Sequence, residues 1–330
     1  MLSSIAYILL FGMFLGTVFQ KLKLPKLLGM IIAGMLIGPY LLNLLDDSIL
    51  NISSQIRQIA LIIILTRAGL TLDLNDLKKV GRPAILMCFV PACFEIIGMI
   101  LIAPKLLGIS LLEAAILGSV IAAVSPAVVV PKMIQLIDSK LGTNKAIPQM
   151  ILAGASVDDV FVIVLFSAFT NLAKGQTVSI MNFASVPISI FTGILFGYLT
   201  GVVVNVFLNK TKLNPIQSFM FVLSISFMLM QVQTWIEAYI PFSGLLSIMA
   251  MGLAINKVNL VRAKSLNAIY NKSWEIAQIF LFVLVGASVN LPFALKAGPI
   301  GILVIVLVMG IRMMGVFVCL LKTPLNPKER

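Results

Sequence analysis

The sequence predicts an all-α polytopic membrane protein, and three observations support that prediction. Hydrophobic residues make up 60% of the 330 positions and charged residues only 11%. The mean hydropathy is +1.10. Apolar runs long enough to cross a bilayer recur along the whole chain. A spanning helix needs about 20 apolar residues and satisfies its own backbone hydrogen bonds in lipid, so these runs are expected to be transmembrane helices.

Eleven spans follow from the apolar runs and from the charged residues, prolines and glycines that bound them. They cover residues 3–20, 24–45, 55–72, 83–103, 111–137, 147–170, 180–208, 217–237, 241–256, 273–291 and 299–321.

Lys and Arg collect on one side of the predicted spans. Counted together with the adjoining ends of the spans, the loops after odd-numbered spans carry eighteen of them, and the loops after even-numbered spans carry four. Because cytoplasmic loops are enriched in basic residues, the N-terminus is predicted to lie outside and the Arg330 end in the cytoplasm. We expect the membrane to be a bacterial-type plasma (inner) membrane. The net charge of +12 therefore reports topology, and nucleic acid is not implied as a partner.

The composition removes several kinds of chemistry. The sequence has no histidine, and Cys88, Cys93 and Cys319 all fall within apolar runs. Neither a disulfide framework nor a metal-ligand spacing is present, and no nucleophile–base pair or phosphate loop stands out. We therefore expect no enzymatic activity and no cofactor, so that any proton chemistry falls to carboxylates, lysine or tyrosine.

The chain resembles itself at an offset of 217 residues. Residues 68–86 ("AGLTLDLNDLKKVGRPAIL") align without a gap with residues 285–303 ("VGASVNLPFALKAGPIGIL"), and the same offset pairs Glu95 with Arg312. Span one then corresponds to span eight, so the two copies must be inverted in the membrane. Inverted repeats are typical of carriers that alternate access around a midplane site.

The repeat predicts the domain organisation. The parts are a first repeat unit at 1–172 (spans one to six, with a broken helix at 111–137 and a carboxylate helix at 147–170), a linking span at 173–212, and a second unit at 213–330. In this alignment the second unit is incomplete, because the repeats of spans five and six would follow Arg330. We expect a complete chain of about 390 residues and about 13 spans.

Two adjacent carboxylates lie in the middle of span six, in "GASVDDVFVIVLF" (154–166). Asp158 is about 17 Å into the span at 1.5 Å per residue, near the centre of a hydrocarbon core about 30 Å thick. An acid at this depth is costly unless it is neutral, paired or next to water, so it indicates a functional site. Asp158 and Asp159 can hold protons or an alkali cation; the alternative is a buried pair that only fixes helix packing.

The motif "SPAVVVP" (125–131) lies midway through span five. Pro126 and Pro131 each remove a backbone donor, so the helix is expected to unwind between them. Irregular backbone at this depth lines a cavity or a ligand. Carbonyls near Val124 and Ala127, together with Ser125, are candidate ligands because alkali ions prefer oxygen. The alternative is an ordinary proline kink.

Two arginines inside spans are not counted with any loop. Arg312 lies about 20 Å into span eleven and is expected to pair with Asp158 or Glu95, the acids at matching depth. A purely structural pairing with Glu95 is the alternative. Arg67 lies near a span end, where it can extend to the interface or pair with Asp73, and we do not predict it to be a ligand.

These segments together resemble the monovalent cation:proton antiporter family, the sodium/proton exchangers. The resemblance runs through "PKLLGMIIAGMLIGP" (25–39), "RAGLTLD" (67–73), "SPAVVVPKM" (125–133), "ASVDDVFVIVLFS" (155–167) and "LFVLVGASVNL" (281–291). It implies an inverted-repeat antiporter fold with a discontinuous helix, and a homodimer in which a core domain moves against a dimerisation domain.

The resemblance also implies a function and residue roles. Monovalent cations are exchanged for protons across the lipid bilayer, with Na⁺ favoured over K⁺, and the ions are substrates rather than cofactors. Asp159 binds the cation or a proton competitively. Asp158 is its neighbour in the cation site and is held by Arg312. Unwound backbone at 124–127 helps to ligate the ion.

Two features depart from the family pattern. Double-Asp members that move net charge typically carry Lys where Arg312 stands; since Arg cannot release a proton, transported protons must ride on Asp158 and Asp159, and electrogenicity stays open. A second broken helix, which crosses the first in the family, would lie beyond Arg330. Two alternatives therefore stand beside antiport: a non-transporting fragment that needs further helices, and a sodium-coupled symporter of similar fold.

Overall fold

A computed structural model describes residues 1–72, 74–174, 180–211, 213–236, 239–323, 325–326 and 329. Side chains are described for these residues except at 74–80, 156–157, 159–160, 167, 171, 180–184, 293–294 and 296–297. The described residues form fourteen α-helices and a short 3₁₀ turn, without any β-strand. The helices are α1 (Leu2–Lys21), α2 (Lys26–Ile37), α3 (Asp47–Asn51), α4 (Ser53–Thr71), α5 (Leu74–Met87), α6 (Val90–Leu107), α7 (Leu111–Ala122), α8 (Pro126–Asp138), α9 (Ile147–Ala173), α10 (Ile180–Lys210), α11 (Pro215–Ile236), α12 (Gly244–Val258), α13 (Leu260–Ala287) and α14 (Leu291–Cys319).

Six of the helical stretches in the described part of the chain are long and apolar enough to cross a membrane. They are Leu2–Lys21, Gly81–Leu107, Leu111–Asp138, Ser185–Lys210, Pro215–Ile236 and Gly298–Cys319. The predicted all-helical membrane architecture is confirmed, whereas the count of eleven spans stays a prediction.

Span five is discontinuous, but the break does not lie between the two prolines. Helix α7 ends at Ala122, α8 begins at Pro126, and Pro131 lies inside α8. A proline fits the first position of a helix because the N–H it lacks has no helical partner there. Pro131 removes only one further bond, which α8 tolerates. The prediction of unwinding from Pro126 to Pro131 was therefore wrong in position by a few residues.

The segment between spans nine and ten is helical rather than a loop. Helix α13 begins at Leu260, well before the predicted start of span ten. Four residues spaced three or four apart along it are buried: Ala263, Leu266, Tyr270 and Trp274. This spacing forms one apolar face of a helix, which explains why the helix continues through a stretch rich in basic residues.

The chain divides into two compact units. The smaller unit consists of Met1–Ile64 and Ala268–Gly298, and the larger unit consists of Leu65–Asn267 and Pro299–Arg330. Within the larger unit, α10 packs along α12, α6 along α7, and α9 against α5, α7 and α8. These units reflect packing alone; the repeat boundaries at 172 and 212 stay a prediction.

In the smaller unit, glycines let α2 and α13 cross at close range. A Cβ atom on Gly34 would overlap the carbonyl of Val283, and one on Gly286 would overlap the carbonyl of Ile31. Backbone therefore meets backbone at this crossing, which only a residue without a side chain permits.

In the larger unit, α4 and α12 cross in the same way. A Cβ atom on Gly252 would lie 2.8 Å from the Thr66 carbonyl oxygen, and one on Gly69 would overlap the carbonyl of Met249. Each member of this crossing stands 217 or 218 residues from its counterpart in the α2–α13 crossing. The self-similarity of the sequence thus has a structural equivalent in two matching helix crossings.

Helices α6 and α14 show how the two copies are oriented. Glu95 contacts Arg312, its own counterpart at the offset of 217, so this pair lies on the axis that relates the copies. Two further contacts are equivalent to each other in the repeat. Gly98 lies beside Ile311, and Gly315, the counterpart of Gly98, lies beside Phe94, the counterpart of Ile311. The contacts run in opposite directions along the two helices. The helices are therefore antiparallel, as expected of inverted repeats.

Gly81 and Gly298, another pair at the offset of 217, interrupt α5 and α14. Their backbone angles are φ 31°, ψ −115° and φ 47°, ψ −148°, which are not helical. A Cβ atom at either position would meet nothing within 4 Å. Glycine is therefore needed here for its backbone conformation and not for space.

Replacing Gly298 with alanine is expected to lower the stability of the protein by about 1–3 kcal/mol, because a residue with a Cβ is strained at this positive φ. Gly310→Ala is the matched control, since Gly310 lies in the same helix, also has no neighbour within 4 Å and has no positive φ. Alanine at that position should be neutral or stabilising by up to about 1 kcal/mol. Thermal unfolding in detergent compares the two; equal melting temperatures would contradict the backbone argument.

Candidate functional site

The break between α7 and α8 leaves backbone groups without helical partners. The carbonyl of Ala122 lies four residues before Pro126, which has no N–H to donate to it. Ala123 and Ser125 are extended, with ψ 121° and 110°. At this point the chain can therefore bind side chains or ions through its main-chain atoms.

Arg312 on α14 fills this break. Its Nη1 donates to the Ala122 carbonyl at 2.8 Å and pairs with the carboxylate of Glu95 on α6. Its Nη2 lies 3.7 Å from Oδ2 of Asp158 on α9. One guanidinium thus faces two buried carboxylates, each only 2% exposed. With both acids ionised, the cluster carries a net charge of one negative unit.

Asp158 is only partly satisfied by its surroundings. Its Oδ2 accepts a hydrogen bond from the Val124 N–H at 3.2 Å. Its Oδ1 is buried and has no hydrogen-bond partner among the described residues. An unpartnered buried acceptor is unfavourable, so this oxygen is a natural position for a proton or a cation.

The other predicted ligands lie on the same elements. Asp159 follows Asp158 on α9, but its side chain lies outside the described residues. Ser125 is the N-cap residue of α8; it is exposed, and its side chain makes no capping hydrogen bond. Ala127 is buried in the first turn of α8, and its carbonyl has no helical donor because Pro131 stands four residues later.

A cavity of about 280 Å³ adjoins the cluster. Val124, Asp158, Arg312 and Glu329 are among the residues that line it. The Glu329 carboxylate accepts hydrogen bonds from Lys145 Nζ at 2.6 Å and from the Asn326 N–H at 2.7 Å, which hold its pKa below the usual range. Asp158 thus lies at the edge of a cavity, while its unpartnered oxygen, Oδ1, is itself buried.

Arg67 lies apart from this cluster in sequence and on a different helix. It is 8% exposed, and its carbonyl accepts a hydrogen bond from Thr71 Oγ1 at 2.9 Å. Its predicted partner, Asp73, lies outside the described residues. Within the described part of the chain, no three His, Cys, Asp or Glu side chains cluster as a resident metal site would require.

Two contributors to the site were not predicted. The Ala122 carbonyl binds Arg312, and the Val124 N–H, as opposed to its carbonyl, binds Asp158. A signal for the first existed in the sequence, because a carbonyl four residues before a proline inside a span must find another donor. No such signal pointed to the Val124 N–H, because the end of α7 depends on packing.

The structure is similar to a solved transporter. It superposes on the sodium proton antiporter MjNhaP1 from Methanocaldococcus jannaschii with a TM-score of 0.80 and 21% sequence identity, covering 98% of this chain and 79% of that chain. At this identity the likeness shows the fold, which is the antiporter fold predicted from the sequence.

Sequence comparisons extend over nearly the same length. The family profile described as "Sodium/hydrogen exchanger, transmembrane" matches residues 6–330. The chain is similar to sodium/hydrogen exchanger 9B2 from Homo sapiens, with 31% identity over 93% of this chain and 57% of that protein. The corresponding mouse protein is 29% identical over 93% and 56%. This chain therefore spans little more than half the length of these relatives. It belongs to the sodium/hydrogen exchanger family, a family of multi-pass membrane transporters rather than enzymes.

Proposed function

We propose that this protein exchanges monovalent cations for protons by alternating access. The observation that carries the proposal is the carboxylate of Asp158, which has one oxygen bonded at the break between α7 and α8 and the other without a partner among the described residues. Asp158 and Glu95 both lie beside Arg312. Such a site is stable with a proton or with a cation, and less stable with neither. The names of the relatives, sodium/hydrogen exchanger and sodium proton antiporter, agree with this chemistry.

Asp159 is the group that alternates between cation and proton in this proposal. Asp158 keeps one oxygen bound to the Val124 N–H and near Arg312, so it is the less free of the two acids. Arg312 stays charged because a guanidinium does not release its proton in a protein. The second oxygen of Asp158, the carbonyls of Val124 and Ala127 and the Ser125 hydroxyl complete an all-oxygen set of ligands, which suits Na⁺ better than a soft metal.

The inverted repeat is the basis of the conformational change in this proposal. We propose that the two repeat units, 1–172 and 213–330 joined by 173–212, exchange conformations so that the site faces each side in turn. The transporter works as a homodimer in a bacterial-type plasma membrane, with its N-terminus outside. The basic loops after odd-numbered spans support that orientation.

The test is transport by the full chain in proteoliposomes that carry an imposed pH gradient and an internal pH-sensitive dye. Addition of Na⁺ or Li⁺ is expected to dissipate the gradient, K⁺ to do so less, and choline not at all. Protein-free liposomes are the control. A gradient that no alkali cation disturbs would overturn the proposal, and uptake of a labelled organic anion driven by Na⁺ would favour the symporter alternative.

A further inference from the structure

A second cavity, of about 460 Å³, lies where α11 and α13 begin. It shares no lining residue with the cavity beside Asp158. Its polar lining consists of Ser218, Asn259, Arg262 and Ser265, and no acidic side chain lines it among the described residues. A cavity with one cation, two hydroxyls and no carboxylate is suited to an anion.

Arg262 is held in place without being neutralised. Its Nη1 donates to the side-chain oxygens of Asn205 at 2.9 Å and Asn209 at 2.7 Å, and its Nη2 donates to the Leu208 carbonyl at 3.1 Å. All of these acceptors are uncharged. No acceptor among the described residues binds its Nε. The guanidinium is therefore fixed in orientation and still has a donor for a charged ligand.

Ser218 independently indicates a ligand. The residue is only 7% exposed, and it lines the cavity. Its hydroxyl makes no hydrogen bond within the described part of the chain, although serines elsewhere on α11, Ser224 and Ser226, bond to the preceding turn. Because Ser218 lines the cavity and its hydroxyl makes no bond to the described residues, the hydroxyl is available to a molecule in the cavity.

The surroundings favour a lipid over a free ion. Three apolar residues at the same two helix starts are strongly exposed: Ile216 at 63%, Leu260 at 56% and Val261 at 81%. Lys257 and Lys264 flank the second of these helix starts in sequence. The basic loops place this end of the helices on the predicted cytoplasmic side, where anionic lipid head groups concentrate.

We propose that this cavity binds the phosphate group of an anionic phospholipid. Arg262 and Ser218 donate to the phosphate oxygens, and the positive ends of the α11 and α13 dipoles add to the attraction. The acyl chains lie along the exposed apolar residues. This site does not depend on the proposed ion exchange.

The experiment is native mass spectrometry of the detergent-solubilised full chain titrated with phosphatidylglycerol, with phosphatidylcholine as the uncharged comparison. Ser218→Ala and Arg262→Gln are tested against two controls: Ser224→Ala on the same helix, and Lys264→Gln, a nearby basic residue that does not line the cavity. We expect phosphatidylglycerol to bind about ten-fold more weakly to the cavity variants, because each loses a hydrogen bond to a charged group. The controls should match the wild type.

Inorganic phosphate is tested in a second titration, followed by melting temperature. A rise that Ser218→Ala abolishes, without binding of phosphatidylglycerol, would assign the site to free phosphate. Loss of Arg262 also removes its bonds to α10, so this variant alone does not decide between a ligand and a fold defect. The Ser218 hydroxyl has no such internal bond, and equal binding by Ser218→Ala and Ser224→Ala overturns the proposal.

Discussion

Replacing Asp159 with asparagine is expected to reduce Na⁺-dependent dissipation of a pH gradient by about 100-fold or more, because the amide takes up neither a proton nor a cation in its place. The measurement is the initial rate of fluorescence change in proteoliposomes that contain equal amounts of folded protein. The fold should survive, since the change removes a charge from the middle of the membrane.

Asp138→Asn is the matched control for this variant. Asp138 is an exposed aspartate at the end of α8, so its loss removes one carboxylate without touching the site. We expect its exchange rate to equal that of the wild type. If Asp159→Asn retains normal exchange, Asp159 is not the transported-ion ligand, and the same experiment on Asp158→Asn then asks whether its partner has that role.

Arg312→Gln is expected to destabilise the protein by about 3–5 kcal/mol, because it leaves Glu95 and Asp158 buried together without a cation. It should also abolish exchange, since Asp158 loses the charge that holds it. Melting temperature in detergent reports the first effect and proteoliposome transport the second.

The double variant Glu95→Gln/Arg312→Gln separates the two roles that the sequence left open for this arginine. Glu95 and Arg312 are neutralised together, so most of the lost stability should return. Exchange should stay absent, because the ionised state of Asp158 still lacks its cation. If stability and exchange both return, Arg312 serves only to pair with Glu95.

Much of the fold was predictable because a bilayer limits the choices. Apolar length alone identifies spanning helices where no water can satisfy the backbone. The offset of 217 predicted that Glu95 and Arg312 are counterparts, and the structure places them in contact on the axis between the copies. Asp158 was predicted as a functional acid from its depth alone, and that role remains a proposal.

Other features required the tertiary structure. The exact end of α7 depends on how Ala122 and Val124 meet side chains from α14 and α9, which lie about 190 and 34 residues away in the chain. Helix α13 extends through a basic segment because Leu266 and Tyr270 are buried, and burial is a property of packing rather than of local composition.

The sequence by itself determined that this protein is a bundle of membrane helices with two inverted copies, a broken helix and a pair of costly acids. Hydropathy, proline and charge affect the structure near their own positions, so these features can be predicted from the local sequence. Only the tertiary structure decided that Arg312 contacts three groups at once: Glu95, Asp158 and the carbonyl of Ala122. It also showed that Asp158 keeps one oxygen unpartnered among the described residues. Which group a buried charge contacts depends on helices brought together from distant parts of the chain, and no local pattern specifies that distance.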